Sequence, residues 1–294
     1  MQTVLKVIKN NSINLSNEFK RLFHGRGKCY EGFEDIVIDS IDTTLLVQSY
    51  KEISYKDELL KALKEYMQSS RHKNLIYKSR YDNTLEVVSG KLEERLFAIE
   101  DGIKFSLDLK NQNIGYFGDM KNGRAYVKSI AKDKRVLNLF AYTCGFSLAA
   151  KSGGAKEVIN VDMSKGVLAI GNRNHAINNL NSGVKFWKLN ILKSFPKIKR
   201  AAPFDIVVID PPTFQRGSFE VERDYEKIIK NLPDILAKDA IVVSALNAPY
   251  LDYDFLDKIY KKHTNLKKIK ELEQVKEYCN KEPKEGLKIA LYSK

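Results

Sequence analysis

The stretch Phe204-Asp-Ile-Val-Val-Ile-Asp-Pro-Pro-Thr-Phe214 decides the fold of this chain. It begins with an unbroken β-branched run, Ile206 to Ile209, which is typical of a strand buried on both faces of a parallel sheet. Pro211 and Pro212 end that strand, because proline has no N–H to donate to a sheet ladder. Asp210 therefore stands at the C-terminal end of a central strand, where open α/β sheets place their ligand chemistry.

Strands and helices alternate from Arg135 to the end of the chain. This alternation predicts an α/β fold with a doubly wound, Rossmann-like sheet. Its seven candidate strands lie near residues 136–140, 158–161, 184–187, 204–209, 241–244, 266–272 and 287–291.

The first hundred or so residues lack this rhythm, because several short strand candidates accompany a single helix there. We expect a smaller amino-terminal α+β domain over residues 1–110, with a role in RNA or substrate recognition, and a catalytic domain over 111–294. The basic stretch Arg21 to Tyr30 carries Phe23, His24 and glycines. It is either a loop that stacks on single-stranded nucleic acid or an ordinary turn whose Phe23 and Tyr30 pack into the domain.

The charge of the chain favours a polyanionic partner. There are 50 Lys+Arg against 37 Asp+Glu, a formal net charge of +13, although solubility alone is the plainer explanation. The three cysteines, Cys29, Cys144 and Cys279, are far apart in sequence and suggest neither a disulfide framework nor a metal site, so we expect a reducing compartment. With no leader and no membrane-spanning run, the predicted location is cytoplasmic, with no membrane and no metal as partners.

Four strand ends carry candidate binding residues. The turn Phe140-Ala-Tyr-Thr-Cys-Gly145 follows the first strand of the sheet, but a pyrophosphate cofactor would need G-x-G-x-x-G, of which only Gly145 is in place. Asp162 ends the second strand and is suited to a ribose diol. Asn190 and Ile191 follow the third strand, where Asn190 either contacts an adenine edge or caps the next helix. Together with Asp210 they indicate a nucleoside-like cofactor without a phosphate chain, of which S-adenosylmethionine is the obvious one.

Three segments resemble class I S-adenosylmethionine-dependent methyltransferases: Asn138 to Ser147, Val161-Asp-Met-Ser164 and Asp210 to Phe214. The nearest branch contains the large-subunit ribosomal RNA methyltransferases I and K. Gly115-Tyr-Phe-Gly-Asp119 with Arg124 is similar to the segment that lies over the cofactor in that branch. The resemblance is strong from Asn113 to Leu251 and looser before, and it implies the seven-stranded methyltransferase sheet.

The resemblance also implies two sets of site residues. The cofactor-binding residues would be Phe117, Asp119, Asn138, Phe140, Tyr142, Gly145, Asp162, Met163, Asn190, Ile191 and Asp210. The catalytic residues would be Asp210, Pro211, Pro212 and Phe214, with Asp210 near the methionine ammonium and Phe214 near the target base. Two positions depart from many relatives, which carry glycine at Cys144 and aspartate at Asn190. We expect the cysteine at position 144 to narrow the turn but to leave Gly145 able to contribute to cofactor binding.

A missing cysteine bears on whether carbon or nitrogen is methylated. Methylation at carbon-5 of a pyrimidine needs a cysteine nucleophile, which that branch places just after the fifth strand. Here the position has the sequence Ser244-Ala-Leu-Asn-Ala-Pro249, so the sequence favours nitrogen methylation, which needs only orientation and proton acceptance. Amino-methylating enzymes usually place the aromatic residue directly after the second proline. Because Thr213 intervenes here, an exocyclic amine and a ring nitrogen both stay open.

The predicted substrate is RNA, with ribosomal RNA foremost, presented single-stranded or with the base flipped out. Three basic segments are candidates to guide its backbone: 193–200, 258–270 and 21–28, of which 258–270 is more typical of a solvated helix face. The alternatives are a methyltransferase acting on a protein or small molecule and a non-catalytic RNA-binding module of the same fold. A nicotinamide dehydrogenase is the weakest, because the glycine fingerprint is missing. A homodimer is left open.

Overall fold

The computed structural model describes all residues, 1–294, and the chain forms two compact units. The first unit consists of Met1–Gly118 together with Val275–Pro283, and the second of Asp119–Gln274 with Lys284–Lys294. The functional division at residues 110 and 111 stays a prediction. None of the helices in the two units is both long and apolar enough to cross a lipid bilayer.

The first unit is built on a five-stranded sheet with two helices. Its elements in chain order are α1 (Gln2–Asn11), β1 (Lys20–His24), β2 (Ile36–Ile41), β3 (Thr44–Ser49), α2 (Lys56–Met67), β4 (Asn74–Ser79), β5 (Leu85–Ser89), β6 (Leu96–Glu100) and β7 (Ile103–Leu107). Strands β1 to β5 lie side by side in that order, and only β3 and β4 are parallel, joined by α2. The predicted α+β architecture is confirmed. Helix α1 was not predicted, because only Val4 and Ile8 in it are buried.

The stretch from Arg21 to Tyr30 packs on the core of its own unit. Phe23 is fully buried, and its ring centre lies 4.8 Å from that of Tyr30. The guanidinium of Arg21 is paired with the buried carboxylate of Asp39. Of the two interpretations of this stretch, the structure therefore supports the turn whose aromatic rings pack into the domain.

The second unit is a seven-stranded sheet covered by helices. Its elements in chain order are α3 (Lys121–Ile130), β8 (Arg135–Leu139), α4 (Gly145–Ser152), β9 (Glu157–Asp162), α5 (Lys165–Ile177), β10 (Val184–Lys188), α6 (Phe195–Ala201), β11 (Phe204–Ile209), β12 (Phe214–Gln215), β13 (Phe219–Glu220), α7 (Val221–Ile229), β14 (Leu236–Leu246), α8 (Tyr253–His263), β15 (Lys267–Leu272) and β16 (Lys288–Ser293). The spatial order of the sheet is β10, β9, β8, β11, β14, β16, β15. The first five of these are parallel, whereas β16 is antiparallel to both of its neighbours. The predicted doubly wound sheet of seven strands is confirmed.

The central strand β11 is buried on both faces, as its β-branched run predicts. Ile206 and Val208 point into one apolar cluster, which includes residues of α3 and α4. Val207 and Ile209 point into the other, which includes residues of α6, α7 and α8. Successive side chains of a strand face opposite sides of the sheet, so helices on both faces require this uninterrupted apolar run.

A chain of buried polar side chains joins β8 and β9 to α4 and α5. Asn138 Nδ2 donates to Asn160 Oδ1 (2.9 Å), and Asn160 Nδ2 donates to Ser147 Oγ (3.0 Å). His175 Nδ1 lies 2.8 Å from the carbonyl oxygen of Gly171, which can only accept, so Nδ1 carries the proton and Nε2 accepts from Ser147 Oγ (2.8 Å). Burial lowers the pKa of His175 to about 4, and the whole chain is therefore uncharged near neutral pH.

Candidate functional site

The register of the parallel strands brings the predicted strand ends to one edge of the sheet. Ile209 pairs with Leu139, Leu139 with Val161, and Val161 with Trp187. The next residue along each strand is therefore found at the same edge, and these residues are Asp210, Phe140, Asp162 and Lys188. The structure thus groups candidates that are up to seventy residues apart in sequence, as expected for parallel strands with crossover connections.

The turn from Phe140 to Gly145 has an unusual backbone. Phe140, Tyr142 and Cys144 have φ values of +56°, +47° and +66°, a region that non-glycine residues rarely adopt. Residues held this way cost on the order of 1–3 kcal/mol each and are concentrated at functional sites. Backbone hydrogen bonds support the turn, from Ala141 N to Val161 O (3.1 Å) and from Cys144 N to Ala141 O (2.7 Å).

Asp162 holds this turn from the neighbouring strand. Its Oδ2 accepts from the backbone N–H of Tyr142 (2.9 Å), and its Oδ1 accepts from that of Ser164 (2.9 Å). Ser164 in turn caps α5, as predicted, by accepting from Val167 N (3.4 Å), and Met163 beside it is exposed. Because each carboxylate oxygen has about two lone pairs, Asp162 retains the capacity to accept from the hydroxyl groups of a ligand.

Cys144 is fully buried against helix α5. A Cβ added to Gly171 of that helix would lie 2.3 Å from Cys144 Sγ, so the thiol fills the space that the glycine leaves open. Burial raises the pKa of the Cys144 thiol well above its usual range, which makes it a poor nucleophile. Gly145 begins α4 and is half-buried.

Three other predicted cofactor residues have partners within the protein. Asn138 lies inside β8, and its amide donates to Asn160 in the buried polar chain. Asn190 Oδ1 accepts from Lys193 N (3.1 Å), which is the capping arrangement. Ile191 belongs to an apolar core cluster. Their contacts with a cofactor stay predictions.

Asp210 is the most perturbed acid at this edge. Burial and then the nearby carboxylate of Asp119 raise the pKa of Asp210 to about 7, while the guanidinium of Arg124 opposes this shift. Asp119 begins the second unit, and Arg124 is buried on α3. The sequence did not predict α3 as a helix. The pattern that could have predicted this helix is the spacing of Met120 and Val127, two apolar residues that both pack on the sheet.

The residues after Asp210 form a rim that ends in an exposed ring. Pro211 is buried and Pro212 is exposed, and Thr213 Oγ1 donates to the carbonyl oxygen of Asn247 (2.6 Å). Phe214 follows with 66% of its surface exposed.

Phe214 also begins a short hairpin that the sequence analysis missed, in which it pairs with Glu220 of β13. The turn residue Gly217, with a φ of +72°, lies between the two aromatic residues of this hairpin and was the available signal. The second of these aromatics, Phe219, is buried, with its ring centre 4.9 Å from that of Phe140.

Tyr225 is a further residue at this edge that sequence reasoning assigned only to a helix. It is fully buried, and its hydroxyl donates to the carbonyl oxygen of Ala245 (3.0 Å), close to the C-terminal end of β14. Phe117 belongs to the first unit, where its ring is exposed, and its role in closing a cofactor pocket stays a prediction. No group of three or more His, Cys, Asp or Glu side chains in either unit is placed to hold a metal ion.

Comparison with known proteins gives a family match over nearly the whole chain. Residues 20–293 match the family model of S-adenosylmethionine-dependent methyltransferases. YwbD of Bacillus subtilis, provisionally named a ribosomal RNA large subunit methyltransferase, is 31% identical over 244 residues, 78% of this chain and 60% of YwbD. Ribosomal RNA large subunit methyltransferase I of Tolumonas auensis is 40% identical over 132 residues, 44% of this chain and 33% of that protein. The chain thus spans less than two thirds of either relative.

A solved structure shares the fold. SMU.776, provisionally named a methyltransferase and crystallised in complex with SAH, superimposes with a TM-score of 0.88 at 24% identity, over 100% of this chain and 80% of the other. At this identity the likeness concerns the fold alone.

The contact between Cys144 and Gly171 gives a first prediction. We expect Gly171→Ala to lower the free energy of unfolding by roughly 1–3 kcal/mol, because the new methyl group overlaps the thiol. In a Cys144→Gly background the same change should be neutral or stabilising, because the overlap is gone and alanine favours a helix. Chemical denaturation of the four proteins gives the coupling free energy as a double-mutant cycle.

Gly166→Ala is the matched control for that cycle. Gly166 lies in the same helix, and a Cβ there would meet nothing nearer than 3.8 Å. The change in the free energy of unfolding that Gly166→Ala causes should be the same whether residue 144 is cysteine or glycine. Equal effects of Gly171→Ala and Gly166→Ala would contradict the packing described here.

Proposed function

The chain belongs to the family of S-adenosylmethionine-dependent methyltransferases, and on this premise we propose that it transfers a methyl group to a nitrogen atom of a base in RNA. Ribosomal RNA is the foremost substrate, since the relatives reported above are named as ribosomal RNA methyltransferases. S-adenosylmethionine supplies an electrophilic methyl group on a sulfonium. The residues of this chain would bind and orient that donor and the base.

The observation that carries the proposal is the rim from Asp210 to Phe214. Asp210 lies at the sheet edge beside Asp162 and Phe140, and four residues later Phe214 holds an exposed ring. A carboxyl group and backbone carbonyls next to an aromatic face can accept hydrogen bonds from a base amino group while the ring stacks on the base. An aliphatic or purely charged rim would not offer this combination.

The residues at the edge fit the donor. Asp162 has acceptor capacity for a ribose diol, and the turn from Phe140 to Gly145 would lie along the methionine moiety. Burial is the main cause of the raised pKa of Asp210, and repulsion from the nearby carboxyl group of Asp119 adds to it. A bound ammonium and sulfonium would relieve this repulsion. Asn190 and Ile191 would flank the adenine.

Nitrogen is the favoured acceptor because no suitable cysteine is available in the second unit, which contains Asp210. Cys144 is the only cysteine there, and its thiol is buried with a raised pKa. Methylation of carbon-5 would require a thiolate to add to the pyrimidine ring. A nitrogen lone pair instead attacks the methyl carbon directly: the N–C bond forms as the C–S bond breaks. The proton that the nitrogen then loses would go to the carboxylate of Asp210, while the carbonyls of the rim would only accept hydrogen bonds.

An RNA substrate is supported by the charge of +13, but the basic segments contribute unequally. The stretch 193–200 starts at the site edge after Asn190. Its far end lies at the opposite edge, because Arg135 at the start of β8 donates to the carbonyl of Ala201 (2.8 Å). In 258–270, Lys262 and Lys268 pair with Glu226 and Asp257, which fits a solvated face.

The form of the substrate follows from the same geometry. A base inside a duplex would not reach the rim, so we propose that it is single-stranded or flipped out. We also propose that the protein acts in the cytoplasm, where ribosomal RNA is available. A homodimer stays a prediction.

Asp210 gives a prediction about pH. Because the raised pKa of Asp210 is about 7, the carboxylate that attracts the donor's ammonium forms only as the pH rises through that value. We expect the affinity for S-adenosylmethionine to increase between about pH 6 and pH 8, by up to tenfold per pH unit below the pKa. In Asp210→Asn this contribution should be lost. Calorimetry gives the affinity of both proteins for S-adenosylmethionine at each pH. The difference between the two proteins removes the effect of the titration of the ligand itself.

The stability of the same variant is an independent measurement. A carboxyl whose folded pKa is raised stabilises the fold below its unfolded pKa of 3.8, and that contribution is lost as the pH rises toward about 7. Asp210→Asn should therefore be more stable than the wild type at about pH 8, with the difference shrinking toward pH 4. A variant less stable at pH 8 would contradict the raised pKa.

The proposed activity is tested by transfer of a labelled methyl group. We expect purified protein with labelled S-adenosylmethionine to label total RNA from a strain that lacks the gene, and to label RNA from the parent strain far less. Asp210→Ala, confirmed as folded by its circular dichroism, should transfer none. Labelling of protein or small molecules but not RNA would refute the substrate, and wild-type turnover in Asp210→Ala would refute the role of Asp210.

A further inference from the structure

The second unit exposes only two aromatic rings, and both lie at the edge that carries Asp210. They are Phe214, 66% exposed, and Tyr250, 62% exposed. Tyr250 belongs to the loop between β14 and α8, and β14 runs parallel to β11 with Ile209 opposite Ser244. The loop after β14 therefore emerges beside Asp210. Tyr250 is not among the residues assigned to the methyl-donor site.

The loop holds Tyr250 outward on a rigid support. Leu251 N donates to Ala248 O (3.2 Å), which closes a four-residue turn with Pro249 and Tyr250 at its centre. Proline at the second position of such a turn sets the backbone before folding. Ala248 is buried in the core and Leu251 packs against it, so both ends of the turn are anchored. The tyrosine ring at its tip is exposed because the turn directs it there.

The loop is joined to the rim by a short hydrogen bond. Thr213 Oγ1 donates to Asn247 O (2.6 Å), one residue before Phe214 and three residues before Tyr250. On the other side, Phe214 pairs with Glu220 across the hairpin. Partial desolvation and then the carboxylates of Glu222 and Glu220 raise the pKa of Tyr250. The two rings thus stand on neighbouring, tethered segments.

The charges around Tyr250 select what it can bind. The negative charges of Glu222 and Glu220 act on it, and Arg223 is already paired with Glu220 (3.2 Å) and Asp224 (2.6 Å). These carboxylates disfavour a phosphate group but can accept hydrogen bonds from the amino groups of a base. Every base presents a face on which an aromatic side chain can stack.

We propose that Tyr250 stacks on the base of the nucleotide next to the target, so that Phe214 and Tyr250 together hold two successive bases of a single strand. The inference rests on the proposed function, because it assumes an RNA substrate at this edge. It adds a substrate-binding residue. It also gives a reason for selecting unpaired RNA, because two adjacent bases can reach the two rings only if they are neither paired nor stacked on each other.

The test compares Tyr250→Ala and Tyr250→Phe with the wild-type protein in the labelled-methyl assay, with total RNA from the deletion strain as acceptor. Loss of base stacking lowers binding by about 5- to 150-fold. We expect Tyr250→Ala to raise the KM for RNA by a factor in this range, with kcat nearly unchanged, because a neighbouring base is held equally before and during transfer. Tyr250→Phe should restore the wild-type KM, since the ring rather than the hydroxyl makes the contact. Affinity for S-adenosylmethionine should be the same in all.

Two further measurements distinguish stacking from a structural effect. Ile269→Ala removes an exposed apolar side chain from β15 at the far edge of the same sheet and should leave the KM for RNA unchanged. In Tyr250→Trp, the fluorescence of the new indole should be quenched by a single-stranded oligonucleotide of about twelve residues and not by the same sequence in a duplex.

The outcomes separate the two proposals. A wild-type protein that methylates RNA, with Tyr250→Ala at the wild-type KM and no quenching in Tyr250→Trp, would overturn the role of Tyr250 alone. A wild-type protein that binds S-adenosylmethionine but methylates no RNA would overturn the proposed function and this inference with it.

Discussion

The hydrogen bond between the side chains of Asn138 and Asn160 (2.9 Å) is the interaction on which the site depends. These residues are direct register partners in β8 and β9. A slip of one residue between the strands would turn one amide to the other face and leave the Asn138 Nδ2 donor and the Asn160 Oδ1 acceptor without this bond, which costs on the order of 1–3 kcal/mol for each group. The bond therefore fixes which residues leave the two strands together, namely Phe140 and Asp162.

That register explains the strained turn. Asp162 can accept from Tyr142 N (2.9 Å) only if β9 ends level with β8, and this bond helps to hold Tyr142 at a positive φ. The buried polar chain continues through Ser147 and His175 into α4 and α5. The helices flanking the turn are thus positioned by the same neutral hydrogen bonds. A rigid, pre-formed turn lowers the entropy that a ligand must lose to bind there.

Much of the fold was predictable because it follows from local patterns. The β-branched strands, the proline stop after Asp210 and the alternation of strands and helices indicated the sheet, and the family match confirms the resemblance and the cofactor. Contacts between distant residues left no such signal. The space for Cys144 is made by Gly171, and the segment 275–283 joins the first unit, with Lys281 N donating to Gly27 O (2.7 Å). The pKa of Asp210 is raised by burial and, after that, by Asp119, which lies on another element. Residue types alone did not reveal these pairings.

We propose that this chain methylates a nitrogen of an RNA base through the edge that holds Asp210. Mass spectrometry of nucleosides from ribosomal RNA tests it most directly, in strains with the gene, without it, and with the gene encoding Asp210→Ala. We expect one N-methylated nucleoside to be lost without the gene, to be restored by the wild type and not to be restored by Asp210→Ala. Identical nucleosides in all three strains, or loss of a carbon-5-methylated pyrimidine instead, would contradict it.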